Sequence, residues 1–128
     1  STSNVMTRTR NKIVGPRLRI VLAPGIALGP GKADLLEGIR DTGSISAAGR
    51  RIGMSYKRAW YLVDALNEHF SKPLVEASKG GAAGGGARLT SLGEDVLSAY
   101  REMERLTERT VRPVLGRLKR KLAIDIAK

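Results

Sequence analysis

The sequence predicts a mainly α-helical domain that carries one small β-hairpin and ends in a long helix. Three observations lead there. Residues Ser44 to Asn67 hold two short apolar-periodic segments that meet at Gly53-Met54, and each opens on a serine able to cap a helix, Ser44 and Ser55. A glycine-rich run, Gly80 to Gly86, lies between two strand-like stretches. From about Thr90 an apolar stripe recurs at helical spacing through a strongly charged segment. Paired helices, then a hairpin, then a long helix is the layout of a winged helix-turn-helix with a long C-terminal dimerisation helix.

Composition narrows the partner. The chain has 128 residues, enough for one domain with its own core, and a formal net charge of +11. Clustered Lys and Arg gain affinity for phosphate polymers by displacing condensed counterions, so an acidic polymer leads the partner classes, although charge alone does not separate double-stranded DNA from RNA or an anionic membrane. The chain has no cysteine, which removes disulfides, thiol nucleophiles and thiolate metal sites. Its one histidine, His69, has no second ligand or nucleophile at a useful spacing, so neither a metal, a cofactor nor an enzyme activity is expected. No apolar run reaches the ~20 residues of a membrane span, and the basic N-terminus lacks the apolar core of a signal peptide. A cytoplasmic protein that does not touch membranes is expected.

Taken in order, residues 1–17 are polar, basic and free of acids, and read as a flexible arm that either only adds solubility or touches phosphates. Residues 18–128 form the domain with its C-terminal helical extension. Leu18 to Leu22 and Ile26 to Leu28 read as one or two short strands about the Pro24-Gly25 turn. Gly31 to Thr42 places Ala33, Leu35, Leu36 and Ile39 on one face and stops at Gly43, which suits a left-handed C-terminal cap. In the next helix Ala47, Ala48 and Gly49 are small enough for a neighbouring backbone to cross closely. The helix after Ser55 turns Ala59, Leu62, Val63 and Leu66 inward, and Pro73 bars its continuation. Leu74 to Ser78 and Ala87 to Thr90 are the strands of the wing.

The last helix is expected to start at Thr90 or Ser91, the latter offering a capping box with Glu94, and to run to about Thr110. Leu92, Val96, Tyr100, Met103 and Leu106 form its stripe, which needs a cover, and a homodimer is the usual one. Pro113 is expected to interrupt it, with Val114, Leu115, Leu118 and Leu122 resuming as a second interface element or a frayed basic end.

If the second helix of the pair enters a major groove, its exposed first turn, Ser55, Tyr56, Lys57 and Arg58, faces bases and phosphates. Arg50 and Arg51 in the preceding helix, and Lys79 and Arg88 at the base of the wing, are candidate phosphate contacts. Tyr56 and Trp60, four apart, could form a stacking platform. The favoured reading splits them, with Trp60 largely buried and Tyr56 at the surface. The glycine run lacks the spacing of a phosphate-cradling loop before a helix, so a wing tip or a plain solvent loop remains.

Two stretches, DTGSISAAGRRIGMSYKRAWYLVDALN and PLVEASKGGAAGGGARLTSLGEDVL, closely resemble the N-terminal DNA-binding domain of the molybdate-responsive ModE family. The shared features are Ser44-Ile45-Ser46-Ala47, Gly53 to Trp60, and the glycine-rich wing closing on Leu89-Thr90-Ser91-Leu92-Gly93. The resemblance covers about residues 18–110. It implies a winged helix-turn-helix that dimerises through its first and last helices and binds a palindromic operator. Nothing after Leu122 matches the family's oxyanion-binding modules, so DNA recognition is carried over and molybdate sensing is not. Two other readings of the same features are a nucleoid-type DNA-binding protein without sequence preference and a protein-interaction winged helix.

Overall fold

The computed structural model describes residues 14–81 and 84–124, with backbone alone for 79–81, 84 and 85. Among the described residues, four helices and two antiparallel hairpins follow the expected order. Strands β1 (Ile20–Ala23) and β2 (Ile26–Leu28) form the first hairpin, and Gly25 takes the positive φ its turn needs. Helix α1 (Pro30–Thr42) begins on a proline, whose absent N–H is not missed in a first turn. It ends at Gly43, with φ 72°, whose N–H donates to the Ile39 carbonyl at 2.8 Å. Helix α2 (Ile45–Arg51) and helix α3 (Tyr56–His69) follow, the latter two residues longer than the expected break after Asn67.

Small residues set how closely these helices cross. A Cβ added to Gly38 of α1 would stand 2.9 Å from the Ala48 Cβ of α2, closer than carbon atoms tolerate. Ala33, Leu35, Leu36, Ile39, Ala48, Ala59, Val63, Leu66 and Tyr100 then share one continuous core.

The wing pairs β3 (Val75–Gly81) with β4 (Gly84–Leu89), from Val75 opposite Leu89 to Gly81 opposite Gly84. Residues 82 and 83 at its tip lie outside the described residues. Two polar ties fix the wing to the helices. The Asn67 amide oxygen accepts from the Leu74 and Val75 N–H groups at 2.9 and 3.0 Å, while its nitrogen donates to the Val75 carbonyl. The Ala87 N–H donates to the Gly43 carbonyl at 2.9 Å, so the wing hangs on the turn between α1 and α2.

Helix α4 (Ser91–Lys119) takes the first of its two expected caps and departs from expectation in its inward face and at Pro113. Its cap is Thr90, whose hydroxyl accepts from the Gly93 N–H at 3.0 Å and donates to the Pro73 carbonyl at 2.7 Å, which ties the cap to the entry of the wing. Its fully buried residues are Gly93, Leu97 and Tyr100, so Leu97 joins the expected stripe, while Leu92, Val96 and Met103 pack partly buried against the same core. The helix also runs through Pro113 without a break. Pro113 lies on the exposed, projecting half of α4, where water can reach the carbonyl that proline leaves without a donor, and the turns around it are rich in Leu and Arg. Beyond Tyr100 no α4 side chain among the described residues is fully buried, and Leu106, Val114 and Leu118 are about half exposed, at 49%, 46% and 58%.

Candidate nucleic-acid interface

The first turn of α3 is the centre of the site. The Ser55 hydroxyl accepts from the Arg58 N–H at 3.1 Å, which satisfies an otherwise orphaned donor and fixes where Tyr56, Lys57 and Arg58 emerge. Ser44 does the same for α2, accepting from the Ala47 N–H at 3.0 Å. Neither helix has an acidic residue in its first turn, so both present an uncompensated positive end. The turn between them depends on Gly53, at φ 71°, and on the Met54 N–H, which donates to the Gly49 carbonyl at 2.8 Å.

Ser55, Tyr56, Lys57 and Arg58 are all exposed. The Tyr56 and Trp60 rings meet edge to face, 6.4 Å apart at 72°, with Trp60 partly buried against the core. That is the split arrangement rather than two parallel stacking planes. Together with Ser46 of α2 and Ser78 and Gly86 of the wing, the two rings line a groove of about 210 Å³. Tyr61, four residues beyond Lys57, is 64% exposed on the outer face of the same helix. Its i+4 spacing from Lys57 was the available signal, and residue-type reasoning passed over it.

The expected phosphate contacts divide. Arg50 donates to the Ser46 hydroxyl at 2.7 Å and has no carboxylate partner among the described residues. Arg51 instead pairs with Asp41 at 3.0 Å, and Arg40 holds the same carboxylate at 3.1 Å. Hydrogen bonds from Arg40 and then Arg51 keep the Asp41 carboxyl below its ordinary range. Arg88 faces Glu76 directly across the wing ladder, and two of its nitrogens donate to one carboxylate oxygen, at 2.9 and 3.1 Å. Lys79 sits on β3, but its side chain lies outside what is described, as do residues 1–13 of the basic arm. His69 ends α3 at the surface.

Two cations that sequence reasoning missed complete the surface. Arg19, just before β1, and Lys32, in the first turn of α1, line a cavity of about 330 Å³ together with Arg58. Burial, followed by repulsion from Arg19 and Arg58, lowers the Lys32 pKa. Only the tertiary fold brings residues 19, 32 and 58 together, so their spacing in the chain carried no signal.

Comparison with known proteins agrees with this geometry. The family model of the bacterial regulatory helix-turn-helix proteins of the lysR family matches residues 33–94. The chain is 49% identical over 80 residues to the molybdenum-pterin-binding protein MopB of Rhodobacter capsulatus, covering 62% of this chain and 30% of that protein. It is 37% identical over 91 residues to the transcriptional regulator ModE of Haemophilus influenzae, covering 71% and 36%. Among solved structures, the full-length LysR-type regulator LysG of Corynebacterium glutamicum with bound effector Arg superposes with a TM-score of 0.54 at 30% identity, over 71% of this chain and 29% of that one.

These matches define the class as a winged helix-turn-helix domain of the kind carried by DNA-binding transcriptional regulators. Within that class the chain is similar to the N-terminal helix-turn-helix domain of the MopB and ModE proteins. The chain spans about 30% of the length of the MopB relative. No helix among the described residues is long and apolar enough to cross a membrane.

Proposed function

We propose that the chain is the DNA-reading part of a cytoplasmic transcriptional regulator that binds a palindromic operator as a homodimer. The observation that carries this reading is the serine-capped, acid-free first turn of α3, which holds Tyr56, Lys57 and Arg58 out to solvent beside a wing. Lys57 and Arg58 are the candidates to read base edges, with Ser55 and Tyr56 beside them. Arg50, Arg51, Lys79, Arg88 and the arm of residues 1–17 would supply phosphate contacts. Residues 18–128 act as one domain with a helical extension. The half-exposed Leu106, Val114 and Leu118 of α4 support a homodimer, since a second copy would cover them. Two recognition helices would then meet half-sites about one helical turn apart, or a multiple of that. DNA recognition alone is assigned to these residues, and molybdate binding is not.

Binding titrations at several salt concentrations, on a duplex selected by footprinting and on a random duplex, test the reading. The selected duplex is expected to bind more tightly, and Lys57→Ala to cost about 1–3 kcal/mol on it while relaxing preference at one base pair. Equal affinity for both duplexes, untouched by Lys57→Ala, would replace it with sequence-independent nucleoid-type packaging. Sedimentation at micromolar concentration tests the dimer.

A further inference from the structure

The recognition helix has two flanks, and they differ in kind. Tyr56 and Trp60 turn toward the wing. Arg58 and Leu62, two positions along and so rotated by about 200°, turn toward the first hairpin and the start of α1. There Arg58, Arg19 and Lys32 surround one cavity of about 330 Å³. Arg40, Arg51, Arg88, Arg101 and Arg112 each have a carboxylate partner. Arg19, Lys32 and Arg58 have none among the described residues. Three like charges gathered round one concavity repel one another unless an anion enters.

The wall is also built to let an anion come close. The Lys32 ammonium donates to the Ala27 carbonyl at 2.7 Å, which fixes it at the rim and leaves its other N–H donors for a ligand. Gly29 and Gly31 put no side chain on the wall, and a Cβ added to Gly31 would meet nothing within 4 Å. The first turn of α1 holds no acid, and Gly29 offers no side-chain cap, so the positive helix end faces the same space.

We infer that Arg19, Lys32 and Arg58 form a cradle for a phosphate of the DNA backbone, on the flank of the recognition helix opposite the wing. The inference rests on the DNA-binding reading above and sharpens it. Arg58 becomes a backbone contact, and base reading falls to Lys57 with the outward Tyr61 beside it. The domain then holds DNA from both sides of α3, by the wing on one and by the cradle on the other.

The test is a set of salt titrations of Arg19→Gln, Lys32→Gln, Arg58→Gln and Lys57→Ala, in the full chain, on the selected and the random duplex. Each cradle variant is expected to bind both duplexes roughly three- to tenfold more weakly and to flatten the salt slope by about one, with base preference kept. Lys57→Ala alone is expected to relax that preference. Arg19 is exposed, so its variant reports binding even if Lys32→Gln disturbs the hairpin, which thermal melting would reveal.

Unchanged affinity and slope in Arg19→Gln and Lys32→Gln, with Lys57→Ala still losing preference, would remove the cradle and leave the DNA reading intact. Relaxed preference in Arg58→Gln would return Arg58 to the bases and also overturn the assignment. Failure of the wild-type chain to bind either duplex would end both readings. Inorganic phosphate at constant ionic strength separates a free anion from a backbone phosphate. Saturable micromolar binding of it without DNA, lost in Lys32→Gln, would overturn the duplex as the ligand.

Discussion

Arg101 and Arg58 carry the same charge in opposite circumstances. Arg101 on α4 is one quarter exposed and is held at 2.9 Å by each of Asp34, Glu37 and Glu104, two of them on α1. Burial alone would lower its pKa, but the hydrogen bonds it donates to Asp34, Glu104 and Glu37 raise it on balance, so the guanidinium stays charged. Arg58 on α3 is exposed, meets no carboxylate among the described residues, and shares a cavity with two more cations. The contrast teaches which part of the +11 charge is available to a ligand. Arg101 ties α4 to α1, whereas Arg19, Lys32 and Arg58, without carboxylate partners among the described residues, line one cavity beside α3. Net charge alone does not distinguish the two sets.

The contrast breaks most sharply at Arg101. Arg101→Met leaves Asp34, Glu37 and Glu104 partly desolvated with no cation between them. Exposed ion pairs contribute up to about 1 kcal/mol, and breaking a fully buried pair costs about 3–5 kcal/mol. A quarter-exposed hub falls between, so a loss of about 2 kcal/mol is expected in urea unfolding. Lys57→Ala, at an exposed and unpaired cation, is expected to leave unfolding within about 0.5 kcal/mol of the wild type. Equal destabilisation by the two would erase the distinction between scaffold cations and binding cations.

Tyr100 joins the two regions and gives the second effect. It is fully buried on α4, and its hydroxyl donates to the carbonyl of Leu18, the residue before Arg19. Tyr100→Phe removes one hydrogen bond and leaves that carbonyl without its donor, at a cost of about 1 kcal/mol. The lost tether should also weaken duplex binding modestly, because it fixes where Arg19 begins. Burial, and next the nearby Glu104, push the Tyr100 hydroxyl up to about 12 from its ordinary 10. The folded state therefore keeps this proton after the unfolded chain has lost it. The associated stability is complete below pH 10 and is lost as pH rises toward about 12. Unfolding measured across that window should fall more steeply in the wild type than in Tyr100→Phe, and parallel curves would refute the role.

What could be read in the sequence was local. Ser44, Ser55 and Gly43 each act within a few residues of their own position, so cap chemistry located three helix ends. The wing followed from glycines between two apolar runs. Where distant residues decide, that reading stopped. Thr90 prevailed over Ser91 because its hydroxyl also reaches Pro73, seventeen positions back. Arg101 finds Asp34 and Glu37 across more than sixty positions. The Arg88 pairing with Glu76 needed the wing register, which no residue pattern gives across a glycine-rich tip. Proline propensity suggested a break at Pro113, although on an exposed helix segment the missing hydrogen bond is replaced by solvent. For the site, residue type picked out the first turn of α3 correctly as an exposed surface, but not Arg19, Lys32 or Tyr61.

The smallest effect lies where the two kinds of cation meet. Arg51 and Arg88 were expected to touch phosphates, yet each is paired, with Asp41 and with Glu76. These pairs are exposed and screened by salt, so they hold their arginines only loosely. DNA can compete with such a carboxylate, but must first displace it. Asp41→Asn and Glu76→Gln release the arginine without removing it, and each also lowers the negative charge near the duplex. Each is expected to tighten binding to both duplexes about two- to threefold at low salt, with no change in base preference, an effect that shrinks at higher salt. Only acid below the ordinary carboxylate range should act on Asp41 in the same direction. Its carboxyl is held below the ordinary range, so the pair persists above that range and is lost as pH falls through the lowered value. A matching gain in Asp41→Asn and Glu76→Gln would show that paired surface arginines are a reserve that DNA can recruit. Weaker binding in either variant would show instead that the carboxylate positions its arginine for the phosphate, and Arg51 or Arg88 would then join Arg101 among the cations whose partners define their place.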